Sequence, residues 1–324
     1  MSDSTPSTLH IAAAPYLRLA AAPRHLTDEL VITTTERAFQ PRVDDLLSDW
    51  VATIATPAFK LIRAREGALT NFCSIGTGVG LDALAAIETL GATQIGVTDV
   101  HEEVVAAAVA NIRRNLRDPE RVALQSGFGD LLMPLATQKP RYQIIYENLP
   151  NIPIADAEEI ATARTSSSFV PPRREAVPEV LKRNLLALHY VALLQARDFL
   201  APQGSVLSLL GARVPLAVFL DMAKAAGFRG EIFTYGWKVQ AETEAVLTGH
   251  LAQQAAGLGP YHFYRAERLA EVFAHVTLEE SGERARDLEQ SLIPDQLSPA
   301  EAWAAYQQGD AIAHTVVVLR SHLV

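Results

Sequence analysis

Residues 71–82 read Asn-Phe-Cys-Ser-Ile-Gly-Thr-Gly-Val-Gly-Leu-Asp, with Gly76, Gly78 and Gly80 at alternate positions. An apolar strand that breaks into such a loop and then enters a helix can bring backbone close to a ligand. A dinucleotide loop needs a third glycine where the new helix packs on the strand, and that slot is Leu81 here. The spacing therefore favours a nucleoside cofactor without a pyrophosphate, for which S-adenosylmethionine is the usual candidate. The helix that follows points its amino end at the ligand, where a carboxylate is favoured.

Three further groups follow in order. Asp99 ends the next apolar run, and a carboxylate there can accept hydrogen bonds from both hydroxyls of a ribose; the plain alternative is a helix N-cap. Asp130, after Gly129, can accept from an adenine amine or serve as a turn aspartate. Asn148-Leu-Pro-Asn151 follows an apolar run and offers amide oxygens to an amine nucleophile; the alternative is a proline turn. Holding an amine lone pair against an electrophilic carbon is much of what an SN2 transfer requires. Glu147 is placed to be a base or to point into the sheet edge.

These groups need a scaffold that gathers them. From residue 71 the pattern alternates strand and helix, with strands expected at 72–76, 94–98, 121–125, 142–147, 204–210, 231–236 and 311–320. Helices are expected at 80–90, 102–116, 178–200 and 215–226. Such alternation implies a Rossmann-like, doubly wound, seven-stranded and mainly parallel α/β sheet. Ligands in such sheets sit beyond the carboxyl ends of the strands, where all four loops emerge. Residues 1–8 read as a disordered tail, and 1–66 as an N-terminal helical segment. Residues 67–324 read as the ligand-binding domain, carrying an insert at 154–178 and a helical insert at 241–309. The second insert is expected to form a lid or a homodimer face.

Composition narrows the class. Hydrophobic residues make up 49% of the 324-residue chain, enough for a large core. A formal charge of −9 argues against a nucleic-acid partner, which needs clustered basic residues. The single cysteine, Cys73, cannot form an internal disulfide and reads as a buried core residue. The histidines lack metal-ligand spacing, so no metal is expected. No apolar run reaches the ~20 residues of a membrane span. A polar amino terminus without a basic start predicts a cytoplasmic protein.

Residues 71–153 resemble the class I S-adenosylmethionine-dependent methyltransferases, and among them the branch of the release-factor glutamine methyltransferases. That branch carries Asn-Pro-Pro-Tyr where this chain has Asn148-Leu-Pro-Asn151. Phe39-Gln-Pro-Arg-Val-Asp-Asp-Leu-Leu47 is similar to its segment preceding the core. The likeness extends over roughly 39–228 and the final strand. It implies cofactor contacts at Gly76, Thr77, Gly78, Gly80, Asp99, Val100, Gly129, Asp130 and Asn148, with Asn148, Tyr190 and Glu147 as catalytic candidates. Tyr190 and His189 could both reach the site, although helical spacing puts one of them in the core. The departures matter: Asn151 replaces the aromatic that would stack on a planar acceptor, and the insert with Ser166, Ser167, Ser168 and Phe169 is expected to cover the site. A small amino-acid-like substrate is therefore expected.

The chain also looks like the methyltransferase halves of plant methionine S-methyltransferases and like azetidine-2-carboxylate synthases. The residues carrying this likeness are Asn148-Leu-Pro-Asn, the Ser-Ser-Ser-Phe-Val insert and Gly-Ala-Arg-Val-Pro215. It leaves two reactions open, methyl transfer and cyclisation of the cofactor's own aminobutyrate chain. From other classes, a nicotinamide oxidoreductase and a non-catalytic nucleoside-binding protein remain alternatives.

Overall fold

A computed structural model describes residues 7–151 and 175–324. Its centre is a sheet of strands β3 (Asn71–Ile75), β4 (Gln94–Asp99), β5 (Ala123–Phe128), β6 (Tyr142–Glu147), β7 (Leu200–Gly211), β8 (Phe228–Val239) and β10 (Ile312–Leu323). The spatial order is β5-β4-β3-β6-β7-β10-β8, and the two-residue β9 (Tyr264–Arg265) pairs with β10. Strands β3 to β7 run parallel, whereas β10 runs antiparallel between β7 and β8. The expected mainly parallel α/β sheet is thus present, with strand order reversing between β3 and β6. That reversal is where such sheets bind ligands.

Helices flank both faces. On one side lie α2 (Thr56–Glu66), α3 (Leu81–Thr89) and α4 (Glu102–Asn115), whose buried residues join Phe72, Val97 and Tyr146 in one core cluster. On the other, α6 (Ala187–Ala196) and α7 (Leu216–Ala225) share a second cluster with Ile145, Val206 and Leu210. Cys73 lies wholly buried in this second layer.

The amino-terminal segment differs from expectation. Residues β1 (Thr8–Ala12) and β2 (Glu29–Thr33) form an antiparallel pair, and only the four-residue α1 (Ala13–Tyr16) interrupts them. After α1 the next helical turn begins at Leu46. The reason is period-two burial: Leu30 and Ile32 point inward while their neighbours do not. Thr8, expected in a disordered tail, opens β1.

The helix expected over 178–200 is two, α5 (Glu179–Arg183) and α6, parted by Leu185 at positive φ. Strand β5 starts two residues later than expected, because Pro119–Arg121 forms a 3₁₀ turn. The 241–309 region is helical apart from β9 and connecting loops, starting with α8 (Thr243–Ala255). The expected active-site insert falls almost wholly on residues 152–174, outside the described residues, as do Ser166, Ser167, Ser168 and Phe169. Among the described residues no helix is long and apolar enough to cross a membrane.

Candidate active site

A cavity of about 530 Å³ opens at the carboxyl ends of the parallel strands. Such a volume suits a small ligand or cofactor. Gly76, Thr77, Gly78, Asp99, Val100 and Gly129 line it, together with Asp130 and Asn148. Loops distant in sequence therefore meet around one space.

The glycine loop is held from below. Gly76, Gly78 and Gly80 all have positive φ. A Cβ on Gly80 would lie 3.2 Å from the Ala108 carbonyl oxygen and 3.3 Å from Ile112 Cγ1. Gly80 thus lets the start of α3 pack closely on α4. It does not line the cavity, in contrast to the expected contact. A Cβ on Gly78 would meet nothing within 4 Å. Its backbone faces open space and its N–H donates to Asp99 Oδ2 at 3.2 Å.

Asp82, in the first turn of α3, ties the glycine loop to that helix and is not among the sequence-predicted site residues. It accepts from the hydroxyls of Ser74 and Thr77, the latter at 3.0 Å, and from Ala83 N–H at 2.7 Å. Burial pushes its carboxyl up to about 6. The carboxylate expected from a ligand at the amino end of α3 finds Asp82 already there. The available signal is an acid at the second position of a helix that is apolar over its next five residues.

Asp99 ends β4 with 3% of its surface exposed. Its Oδ1 accepts from His101 N–H at 3.3 Å and its Oδ2 from Gly78 N–H. Burial raises its carboxyl to about 6. Asp99 lines the cavity, and an ionised carboxylate has acceptor capacity beyond these bonds for ligand hydroxyls. Asp130 is fixed through α6: Gln195 Nε2 donates to its Oδ2 at 3.0 Å, while Gln195 Oε1 accepts from Leu132 N–H at 3.0 Å.

At β6, side chains alternate. Tyr146 and Asn148 face the cavity, and Glu147 between them points the other way. Glu147 and His189 are fully buried, and His189 Nδ1–H donates to the carboxylate at 2.9 Å. Glu147 Oε2 also accepts from Leu149 N–H at 3.2 Å. The pair pins α6 to the 148–151 turn. Neither Glu147 nor Tyr190 lines the cavity. Tyr190 packs in the second core cluster, and Leu188 is the α6 residue that reaches the cavity. The geometry therefore separates Glu147 and Tyr190 from Asn148.

The remaining wall comes from segments outside the four strand-end loops. Asp49 accepts from Tyr16 O–H at 3.0 Å, Arg42 N–H at 2.9 Å and Ala52 N–H at 2.8 Å. Trp50 lines the cavity beside it, and Lys238 Nζ lies 5.1 Å from the Trp50 ring centre. Arg213, Gln240 and His314 complete this end. Burial and the positive charge of Arg213 and Lys238 hold His314 well below its ordinary range, so it is neutral. A buried lysine near the carboxyl end of β8, after the run Phe233–Trp237, is the available signal for Lys238. Among the described residues no group of His, Cys, Asp and Glu is arranged to hold a metal ion.

No protein-family model matches the sequence, and no curated protein matches it. Solved structures are similar at low identity. The ribosomal protein L11 methylase of Lactobacillus delbrueckii subsp. bulgaricus is 17% identical over 62% of this chain and 84% of its own, with a TM-score of 0.37. The YcgJ protein of Bacillus subtilis is 14% identical over 82% of this chain and 97% of its own, at 0.42. A SAM-dependent methyltransferase of Agrobacterium tumefaciens is 12% identical over 69% of this chain and 59% of its own, at 0.41.

Proposed function

We propose that this chain is an S-adenosylmethionine-dependent enzyme that alkylates a small amino-acid-type nucleophile, most simply by methyl transfer. The observation that carries the reading is Asp99, a buried carboxylate tied to the glycine loop and facing a cavity shared with Asp130 and Asn148. The donor set fits a nucleoside: two carboxylates at successive strand ends for hydroxyls and an amine, and bare backbone at Gly78 for close approach. When bound, the cosubstrate would supply a methyl group activated on a sulfonium.

The chain's own residues would then do three things. Asp99 would anchor the ribose and Asp130 the base. The Asn148 amide oxygen would accept an N–H of the nucleophile and aim its lone pair along the line of attack. The apolar cover from Leu149 and Leu188 would limit water at the reacting carbon. Isothermal titration should show S-adenosylhomocysteine binding, and Asp99→Ala should weaken it at least about tenfold. No binding by the intact protein at millimolar ligand would sink the reading.

A second reading is cyclisation of the aminobutyrate chain to azetidine-2-carboxylate. It is favoured by the turn at Asn148–Asn151, which presents no aromatic face to a planar acceptor, and by a cationic cavity end at Lys238 and Arg213. Here Asn148 would hold the neutral α-amine toward the γ-carbon. The new carbon–nitrogen bond replaces the carbon–sulfur bond, methylthioadenosine leaves with the electron pair, and one proton is lost from nitrogen. Mass spectrometry of protein incubated with S-adenosylmethionine alone separates the two: methylthioadenosine and azetidine-2-carboxylate mean cyclisation, whereas S-adenosylhomocysteine requires an acceptor.

A further inference from the structure

At the β7–β10–β8 end of the cavity two cations, Lys238 and Arg213, stand without an ion-pair partner among the described residues. Lys238 is 2% exposed and its Nζ donates to the Val239 carbonyl at 3.1 Å. Arg213 Nη2 donates to Gln240 Oε1 at 2.6 Å, and its guanidinium lies 5.4 Å from the Phe263 ring centre. Among the described residues no ion pair includes either side chain. Arg213 Nε and both ring nitrogens of His314 lack hydrogen-bond partners there. The arrangement is built: a Cβ on Gly211 would collide with Arg213 Nη1, so the guanidinium occupies space that only a glycine leaves free.

Two like charges facing one cavity in a poorly solvated setting repel each other and lose hydration. Burial, reinforced by Arg213 and only partly offset by the carboxylates of Asp49 and Asp45, pulls the Lys238 ammonium down to about 7. A ligand anion would reverse both penalties. The usual alternative home for such an anion, the amino end of α3, is occupied by the Asp82 carboxylate. Asp49 and Glu242 also line the cavity, and their charge disfavours a dianion such as phosphate more than a monoanion.

We propose that Lys238 and Arg213 hold the carboxylate of an amino-acid-type group whose amine is presented at Asn148. The proposal deepens the function proposed above and rests on it for the ligands considered. The carboxylate has two sources, the aminobutyrate chain of the cosubstrate or a separate amino-acid substrate.

Isothermal titration of the wild type, Lys238→Met and Arg213→Gln with three probes decides the matter. The probes are S-adenosylhomocysteine, methylthioadenosine, which lacks the carboxylate, and L-2-aminobutyrate added to protein saturated with S-adenosylhomocysteine. If the carboxylate is the cosubstrate's, each variant weakens S-adenosylhomocysteine about tenfold or more and leaves methylthioadenosine within about twofold. If it belongs to a second substrate, S-adenosylhomocysteine binds all three proteins alike, and L-2-aminobutyrate binds the wild type only. Either result upholds the subsite. Equal affinities of every probe for all three proteins would overturn it, as would tighter binding of inorganic phosphate than of any carboxylate probe at this end.

Should neither nucleoside bind the wild type, the function proposed above fails by itself. L-2-aminobutyrate alone then tests the subsite, and indifference to Lys238→Met, or no binding at about 10 mM, overturns it. Folding of the variants is checked by thermal melting beside each titration.

Discussion

Lys238 illustrates how a residue suited to a ligand burdens the protein without one. An unfolded lysine keeps its ordinary value near 10.5, whereas the folded one sits at about 7. Between these values the unfolded chain binds more protons, so wild-type stability rises with pH across that window. Lys238→Met removes the burden. We expect the ligand-free variant to be more stable by about 1–3 kcal/mol at pH 7, with the gain shrinking toward pH 10. Denaturant melts at both pH values check this, and a variant less stable at pH 7 would contradict it. Asp99 carries the mirror-image burden. Its folded carboxyl is raised to about 6, so ionising it above that value costs stability and protonating it below removes the cost. A protonated Asp99 can no longer accept from two hydroxyls. S-adenosylhomocysteine affinity is therefore expected to hold from pH 7 to 8 and fall below about 6; titrations in the Lys238→Met background separate this from the lysine.

At the scale of elements, the glycine loop and the β6 turn divide their labour differently. Gly80→Ala meets the backbone of α4 and should destabilise the fold by about 2 kcal/mol. Gly78→Ala meets no protein atom; it should cost about 1 kcal/mol of backbone strain yet weaken the nucleoside about tenfold, because its methyl enters the cavity. Comparing melting with titration for the two variants tests the division. The Glu147–His189 bracket is structural by position. His189→Leu leaves a buried carboxylate with only the Leu149 N–H and should cost about 3–5 kcal/mol. Glu147→Gln, which keeps shape and one hydrogen bond, should retain turnover with an unaltered pH profile, and an abolished reaction in a stably folded Glu147→Gln would restore Glu147 as a base.

The four loops could be located from sequence because each follows an apolar strand and carries turn chemistry. The strand faces could not, since one position of phase decides whether Glu147 or Asn148 meets the cavity. The β1–β2 hairpin hid behind short, mixed segments, and Asp49, Trp50, Arg213 and Lys238 hid because their meeting is set by packing between distant elements. Asp82 escaped notice because a helix-start acid reads as ordinary capping.

Across the whole molecule, β10 is the strand on which both the sheet and the cationic end of the cavity depend. It lies between β7 and β8, and Val317 within it is fully buried. Val317→Asp should unfold the domain or cost more than about 4 kcal/mol, and circular dichroism at 25 °C would report it. The Trp50 side of that same end depends on the amino-terminal segment. Tyr16→Phe removes one donor from the buried Asp49 carboxylate and should cost about 1–2 kcal/mol while loosening the Trp50 side of the cavity.

The placement of β10 also bears on how the chain comes off the ribosome. Strands β7 and β8 leave the exit tunnel well before the strand that joins them, so each waits with an unpaired edge while 72 residues, from Gln240 to Ala311, are synthesised. A nascent chain stalled before residue 312 would hold the glycine loop, Asp99 and Asp130 yet lack His314 and the bridge between Arg213 and Lys238. Such incomplete copies would thus be open to chaperones and proteases until the last strand has threaded into place.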